Sequence, residues 1–146
     1  YYNRRSLFQT GSQSSRMDCL TCGADTVAFA IPDRFENHVP GAESAVTLCT
    51  HCLSMEPAKN PPPDAPDFDR ISDAFPTNPD GAVAFALLLG LLDNLALYRE
   101  EITELLEAVE RAGTDPLLAL DRLAADPDIE TELDLSGRRR QLEQLL

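Results

Sequence analysis

The sequence predicts an α+β protein, with a small N-terminal antiparallel β unit followed by a mostly α-helical C-terminal domain that has one long central helix. Three observations lead to this prediction. Two short cysteine motifs, each close to alternating apolar residues, lie near the N-terminus with 26 residues between them. A segment in which five of ten residues are proline follows at 57–66. After it come leucine-rich stretches with the three-and-four spacing of amphipathic helices.

Residues 1–16 differ in composition from everything that follows. They contain three arginines and no acidic residue, whereas the rest of the chain carries nine basic and 25 acidic residues. They also lack the extended apolar core of a secretory signal. We expect this segment to be a disordered leader or an over-long gene start, with Met17 as the natural start and the protein in the cytoplasm.

The chain as a whole is strongly acidic, with a formal net charge of −13 and a single lysine. Dense surface carboxylates keep a protein hydrated in molar salt, which also screens their repulsion, so this balance favours a halophilic origin. Nucleic acids and anionic membranes are disfavoured as partners, because their binding depends largely on neutralising phosphates with basic side chains. Arg138, Arg139 and Arg140 form the main basic cluster after Met17, and we expect it on the solvated face of a helix.

The four cysteines are the strongest chemical signal in the sequence. They form two Cys-x-x-Cys pairs, in which each tight turn directs two thiolates to one point, and two such turns supply the four tetrahedral sulfur ligands that zinc prefers. A rubredoxin-like iron site shares this ligand set and is the alternative, although the segment lacks the tryptophan and tyrosines typical of that core. A thiol-disulfide enzyme is least favoured, since one reactive pair would suffice. We predict one structural Zn²⁺ ion bound by Cys19, Cys22, Cys49 and Cys52.

Residues close to the cysteines also bear on the site. Gly23 directly follows the first pair, where a positive φ is expected, and Leu53 occupies the same place after the second pair. His51 lies inside the second pair and His38 in the loop before it, and with four cysteines present both are expected at the surface rather than among the ligands. The sequence contains no phosphate-binding glycine loop, nucleophile elbow or histidine-carboxylate metal motif, so we expect a non-enzyme.

Two strands are predicted by the alternation of apolar residues, one from Thr26 to Ile31 and one around Val46 and Leu48. The resulting order of knuckle, strand, loop, strand and knuckle is that of a zinc ribbon, which is too small to fold without its metal. A proline-rich run is stiff and cannot join a helix or a sheet ladder, so it marks a boundary between separate folding units. The predicted domains are a zinc ribbon at 17–56, a linker at 57–66 and a helical domain at 67–146.

One long helix is predicted from Pro79 to about Ala112, with Asn78 as its N-cap and Gly113 beyond its end. Its stripe of eight apolar residues is longer than two short helices can cover, and this surplus predicts self-association or a protein partner. The stripe consists of Ala84, Leu88, Leu91, Leu95, Tyr98, Ile102, Leu105 and Val109. Three further helices are predicted: a short one through Phe68, Ile71 and Phe75, one that opens at Asp115 and Pro116, and one at 135–146.

The segments CLTCGADT, LCTHC, ALLLGLLDNLALYREEI and DPLLALDRLAADPDI carry a resemblance to known proteins. Through them the region from Met17 to Leu146 resembles an uncharacterised family of haloarchaeal zinc-ribbon proteins with a C-terminal helical domain. The resemblance implies zinc binding and no particular activity. Zinc ribbons in general occur in transcription factors, ribosomal proteins and RNA polymerase subunits, and Leu53 departs from their common pattern, which often has glycine there.

These observations together predict a zinc-binding, non-catalytic interaction or adaptor protein, with transcription or translation as the candidate process. Two alternatives remain open at this point. A ribbon that binds nucleic acid directly would use the arginine cluster at 138–140, and a rubredoxin-like electron carrier would hold iron in place of zinc.

Overall fold

The computed structural model of the chain describes residues 18–20, 22–35, 45–58, 66–131 and 133–145. The predicted leader, His38 and most of the predicted linker lie outside these residues. Within them, a small antiparallel sheet in the N-terminal part is followed by four α-helices, so the predicted α+β fold class is confirmed. None of the helices among the described residues is both long enough and apolar enough to cross a membrane.

The sheet has three strands in the order β1-β2-β3, and both neighbouring pairs are antiparallel. The two predicted strands are present as β1 (Thr26–Ala30) and β2 (Ala45–Cys49). The third strand, β3 (Met55–Ala58), was not predicted. The first two residues of the predicted linker at 57–66, Pro57 and Ala58, belong to β3. Proline is tolerated there because β3 is an edge strand, whose outer side needs no ladder hydrogen bond.

The single long helix predicted from Pro79 to Ala112 is wrong. The structure has two helices in its place, α1 (Pro79–Leu91) and α2 (Arg99–Arg111), separated by a 3₁₀ turn at Leu92–Asn94 and a further turn. The two helices are antiparallel neighbours, since a Cβ added to Gly81 near the start of α1 would lie 2.8 Å from the Cβ of Ala112, just after α2. The chain therefore turns back on itself at the polar residues that interrupt its apolar run.

Because the two helices form a hairpin, the apolar stripe no longer implies self-association or a protein partner. Six of the eight stripe residues are fully buried, and the other two, Leu95 and Tyr98, pack against the core at the turn. An unbroken helix would leave the far end of the stripe uncovered, whereas two antiparallel helices cover each other's apolar faces. A protein partner must therefore be argued from another surface.

The remaining helices are α3 (Pro116–Ala124) and α4 (Leu135–Glu143). The predicted helix through Phe68, Ile71 and Phe75 is only a 3₁₀ turn at Phe68–Arg70, although all three side chains are buried. The local helix signals are confirmed: Asn78 and Asp115 accept hydrogen bonds at the starts of α1 and α3, and Gly113 ends α2 with a φ of 98°.

The sheet and the helices share one continuous apolar core. A chain of aromatic contacts crosses from one to the other: the ring centroids of Phe29 in β1 and Phe68 are 5.2 Å apart, those of Phe68 and Phe75 are 5.2 Å apart, and those of Phe75 and Phe85 in α1 are 5.1 Å apart. At a second point, Gly90 of α1 provides the space that the Met55 side chain of β3 occupies. We expect parts that share a core in this way to unfold together, in contrast to the separate folding units that the proline-rich segment suggests.

Candidate metal centre

The two cysteine pairs lie in turns of the same construction. In the first, the backbone N–H of Cys19 donates to the carbonyl of Ala24 at 2.8 Å. In the second, the backbone N–H of Cys49 donates to the carbonyl of Ser54 at 2.9 Å, again five residues further along the chain. The first turn precedes β1, and the second follows the central strand β2 directly. Because Thr26 of β1 lies opposite Cys49 in the sheet, the antiparallel pairing brings the two turns to the same end.

Each turn closes on a left-handed residue directly after its second cysteine. Gly23 has a φ of 79°, as its position predicts, and Leu53 has a φ of 64°. A residue with a Cβ pays about 1–2 kcal/mol for this conformation, which explains why glycine is common at the site. Leu53 offsets the cost because its side chain is 5 % exposed and packs in the shared core. The second turn is thereby anchored to the core as well as to the sheet.

The four cysteine sulfurs converge on one point. All four Sγ atoms lie within 4.8 Å of one another, and the structure contains no disulfide among them. The distances across the two turns are 3.6 Å between Sγ of Cys19 and Cys52 and 3.4 Å between Sγ of Cys22 and Cys49. Four sulfurs at about 2.3 Å from a tetrahedral ion are about 3.8 Å apart, so the spacing fits a single metal ion shared by both turns.

The surroundings of Cys49 are those of a metal thiolate. The backbone N–H groups of His51 and Cys52 donate to Cys49 Sγ at 3.3 Å and 3.4 Å. Burial nevertheless raises the pKa of the Cys49 thiol to about 12, and the two N–H groups only partly counteract this rise. A divalent cation reverses the balance, since a thiol that coordinates a metal is deprotonated. A bound cation would therefore supply the positive charge that a buried Cys49 thiolate needs.

The four cysteines differ in exposure. Cys19 and Cys49 are buried, Cys52 is half-buried and Cys22 is exposed. Cys52 also has a polar neighbour, because its Sγ lies 3.1 Å from the hydroxyl of Ser54. The centre thus has one side within the protein and one side, that of Cys22, at the surface.

His51 lies outside the sulfur cluster, and its contacts exceed those of an exposed turn residue. Its Nδ1 lies 3.1 Å from the carbonyl oxygen of Asp128, and because a carbonyl only accepts, Nδ1 carries the hydrogen. Its own carbonyl accepts the backbone N–H of Glu130 at 2.8 Å, and its Nε2 lies 4.0 Å from the Glu130 carboxylate. The second turn is therefore fastened to the segment between α3 and α4. No sequence signal indicated this contact, since its partners are 77 residues apart.

The arrangement supports metal binding without identifying the metal. Four sulfur ligands at this spacing suit Zn²⁺ and the iron of a rubredoxin-like site equally well. The four predicted ligands are the group that the structure brings together, and no further His, Cys, Asp or Glu of the described chain joins them in a metal-binding cluster.

Comparison with known proteins adds one finding to this geometry. Neither the curated proteins nor the solved structures include a significant match to the chain. A protein-family model does match, and it covers residues 18–146, which include all four cysteines, the sheet and the four helices. The chain therefore belongs to a family of unknown function, DUF6276.

Proposed function

We propose that this protein is a non-catalytic interaction module whose fold depends on one structural Zn²⁺ ion bound by Cys19, Cys22, Cys49 and Cys52. The observation that carries the proposal is the convergence of four sulfurs within 4.8 Å from two turns of the same construction. Four thiolates fill the tetrahedral shell of zinc and leave no open position for a substrate, which is typical of structural sites. The two turns and the antiparallel sheet also support assignment as a zinc ribbon.

Composition favours zinc over iron at this centre. The chain has no tryptophan, and its described residues contain a single tyrosine, Tyr98, at the turn between α1 and α2. The tryptophan and tyrosines typical of rubredoxin-like iron sites are therefore missing from residues 17–56. The acidic balance fits the salt-rich cell of the haloarchaeal family that the sequence resembles.

The contacts that the arginine cluster at 138–140 makes within the protein disfavour direct binding of nucleic acid. Arg139 pairs with the carboxylates of Asp121 at 2.9 Å and Glu143 at 2.8 Å. Arg138 donates to the backbone carbonyl of Asp93 at 3.3 Å and to the side chain of Gln141 at 3.0 Å. Two of the three arginines are thus engaged within the protein, and phosphate groups would meet a chain of net charge −13. We therefore propose that the protein binds a protein partner, in transcription or translation as the ribbon class suggests.

The metal content of protein purified without added metal tests the first half of this proposal. We expect one equivalent of zinc by elemental analysis. The variant Cys22→Ser should lose most of it, while Leu20→Ser, an exposed position in the same turn, should retain it. One equivalent of iron with the red colour of a ferric thiolate site would replace the proposal with an electron carrier, and the absence of any metal would reject both.

Affinity purification from the native host, with and without nuclease, tests the second half. Protein partners that remain after nuclease treatment are the expected result. Recovery that disappears with nuclease would favour the nucleic-acid alternative, and a zinc-loaded protein without partners would contradict an interaction role.

A further inference from the structure

A cleft of about 920 Å³ opens next to the metal centre. It is lined by residues of the second cysteine turn and of β3, by the C-terminal end of α1 together with Asp93, and by Glu130, Thr131 and Leu133. Two of the metal ligands, Cys22 and Cys52, are part of its lining. Its volume lies at the upper end of the range of about 300–1,000 Å³ found for binding pockets.

The lining combines an apolar floor with an acidic rim. Met55 and Leu133 are half-buried and provide apolar surface, and Leu20 is 82 % exposed, the highest value among the large apolar residues described. The rim carries the carboxylates of Glu56, Asp93 and Glu130. The described lining includes no lysine or arginine; beside these three residues, His51 Nε2 lies 4.0 Å from the Glu130 carboxylate and Arg138 donates to the backbone carbonyl of Asp93 at 3.3 Å.

The second cysteine turn is linked to another part of the lining of this cleft. His51 belongs to that turn, and it is hydrogen-bonded to the backbone of Asp128 and Glu130. A metal ion bound by Cys49 and Cys52 would fix this turn and, through these hydrogen bonds, the position of Glu130.

We propose that this cleft, defined by Leu20, Met55, Leu133, Glu56, Asp93 and Glu130, binds a short segment of a protein partner in which an aliphatic side chain lies beside arginine or lysine. The inference rests on the proposed function and names the chemistry of the partner. An aliphatic side chain gains free energy by leaving water on the apolar floor, and a neighbouring cation complements the three carboxylates. The same carboxylates repel phosphate, which disfavours RNA or DNA as the occupant.

The test uses the full zinc-loaded chain, labelled with ¹⁵N, and two synthetic peptides. The first is Arg-Leu-Arg-Leu-Arg, and the second is Glu-Leu-Glu-Leu-Glu, which has the same leucines and the opposite charge. We expect the basic peptide alone to shift amide signals of the second turn, of the end of α1 and of Glu130, Thr131 and Leu133. The acidic face of α2, with Glu100, Glu104 and Glu107, is an internal comparison because it is rich in carboxylates but lies elsewhere. Shifts centred there would show general charge attraction and overturn the proposal.

Matched variants separate the cleft from the rest of the acidic surface. Glu56→Gln and Leu20→Ser should each weaken binding of the basic peptide about two- to fivefold, in line with the modest strength of single surface contacts. Glu110→Gln and Leu118→Ser change the same residue types on α2 and α3, where Leu118 is 56 % exposed, and should leave binding unchanged. Equal losses in both sets, or equal binding of the acidic peptide, would contradict the proposal.

The zinc content of each sample distinguishes the two levels of inference. Protein that holds one zinc but shows no localised binding would refute the cleft alone, and protein without metal would refute the proposed function. Removing zinc with a chelator should abolish the localised shifts. Shifts that persist unchanged in metal-free protein would refute the link between the metal and the cleft.

Discussion

Leu53 allows a sharp test of how the second cysteine turn is built. Its backbone is left-handed, with a φ of 64°, and its side chain is 5 % exposed within the shared core. Leu53→Ala removes most of the buried side chain but keeps a Cβ on the left-handed backbone. Leu53→Gly removes the side chain and the Cβ together. Comparison of the two variants therefore isolates the conformational cost from the loss of packing.

The expected magnitudes follow from these two properties. Truncating a buried leucine to alanine costs about 2–5 kcal/mol in free energy of unfolding. The left-handed conformation costs a residue with a Cβ about 1–2 kcal/mol, whereas glycine loses about 0.5–1 kcal/mol more than alanine in conformational entropy. We expect both variants to be less stable than the parent, but Leu53→Gly to be more stable than Leu53→Ala by about 0.5–1 kcal/mol. This order is the reverse of that at an ordinary buried position.

Urea unfolding followed by circular dichroism, at a constant excess of free zinc, measures the difference. Gly23→Ala is the matched control in the first turn. A Cβ there has the same left-handed backbone, with a φ of 79°, and meets no atom within 4 Å, so the variant should lose about 0.5–1 kcal/mol without any packing change. If Leu53→Ala is as stable as Leu53→Gly or more stable, the left-handed backbone does not limit stability at this position.

Three further predictions concern the metal, the shared core and the helix pair. The Cys49 thiol has a pKa of about 12 and is therefore protonated at neutral pH in the metal-free protein, so zinc must displace that proton. The affinity for zinc should rise about tenfold per pH unit for each proton released. Competition with a zinc chelator from about pH 6 to pH 8 measures this affinity, and a pH-independent value would contradict the prediction. Phe29→Ala should lower the free energy of unfolding by about 3–5 kcal/mol and lower the unfolding midpoint of the helices as well as the sheet, since Phe29 is fully buried against Phe68. An unchanged midpoint in the helical circular dichroism signal at 222 nm would indicate separate folding units. Gly81→Ala should destabilise the protein by up to about 2 kcal/mol, because the new Cβ approaches the Ala112 Cβ to 2.8 Å and this overlap outweighs the higher helix propensity of alanine. The double variant Gly81→Ala, Ala112→Gly removes the overlap and should recover most of the lost stability.

The features that were predicted correctly from sequence depend on residues close together in the chain. Asn78 and Asp115 cap helices because their side chains accept N–H groups two or three residues away. Gly113 ends α2 with the two hydrogen bonds of a Schellman motif, in which its own N–H and that of Thr114 donate to Glu110 and Val109 at 3.0 Å and 3.2 Å. Each of these signals works within one turn of backbone, so the surrounding fold has little opportunity to override it.

The errors have an equally specific cause. Residues 82–92 are nearly all apolar, and such a run indicates burial without indicating which neighbour provides it. Continuation of the helix and reversal into a hairpin are both compatible with the local pattern, and the contact of Gly81 with Ala112 belongs only to the second. The missed strand β3 has a related origin, because Pro57 argues against a strand unless the strand lies at a sheet edge, and edge position is a property of the assembled sheet.

The sequence by itself therefore determined the chemistry of the centre: two Cys-x-x-Cys turns, each set by six neighbouring residues, can present four thiols and little else. Only the tertiary structure decided where that centre lies and what adjoins it. Three features each join parts of the chain that are far apart in sequence: the contact of His51 with Asp128, the packing of Leu53 in a core shared with the helices, and the cleft that β3 lines together with Glu130, Thr131 and Leu133. Such contacts depend on how apolar surfaces fit together in three dimensions, and a one-dimensional pattern records only that those surfaces must be buried.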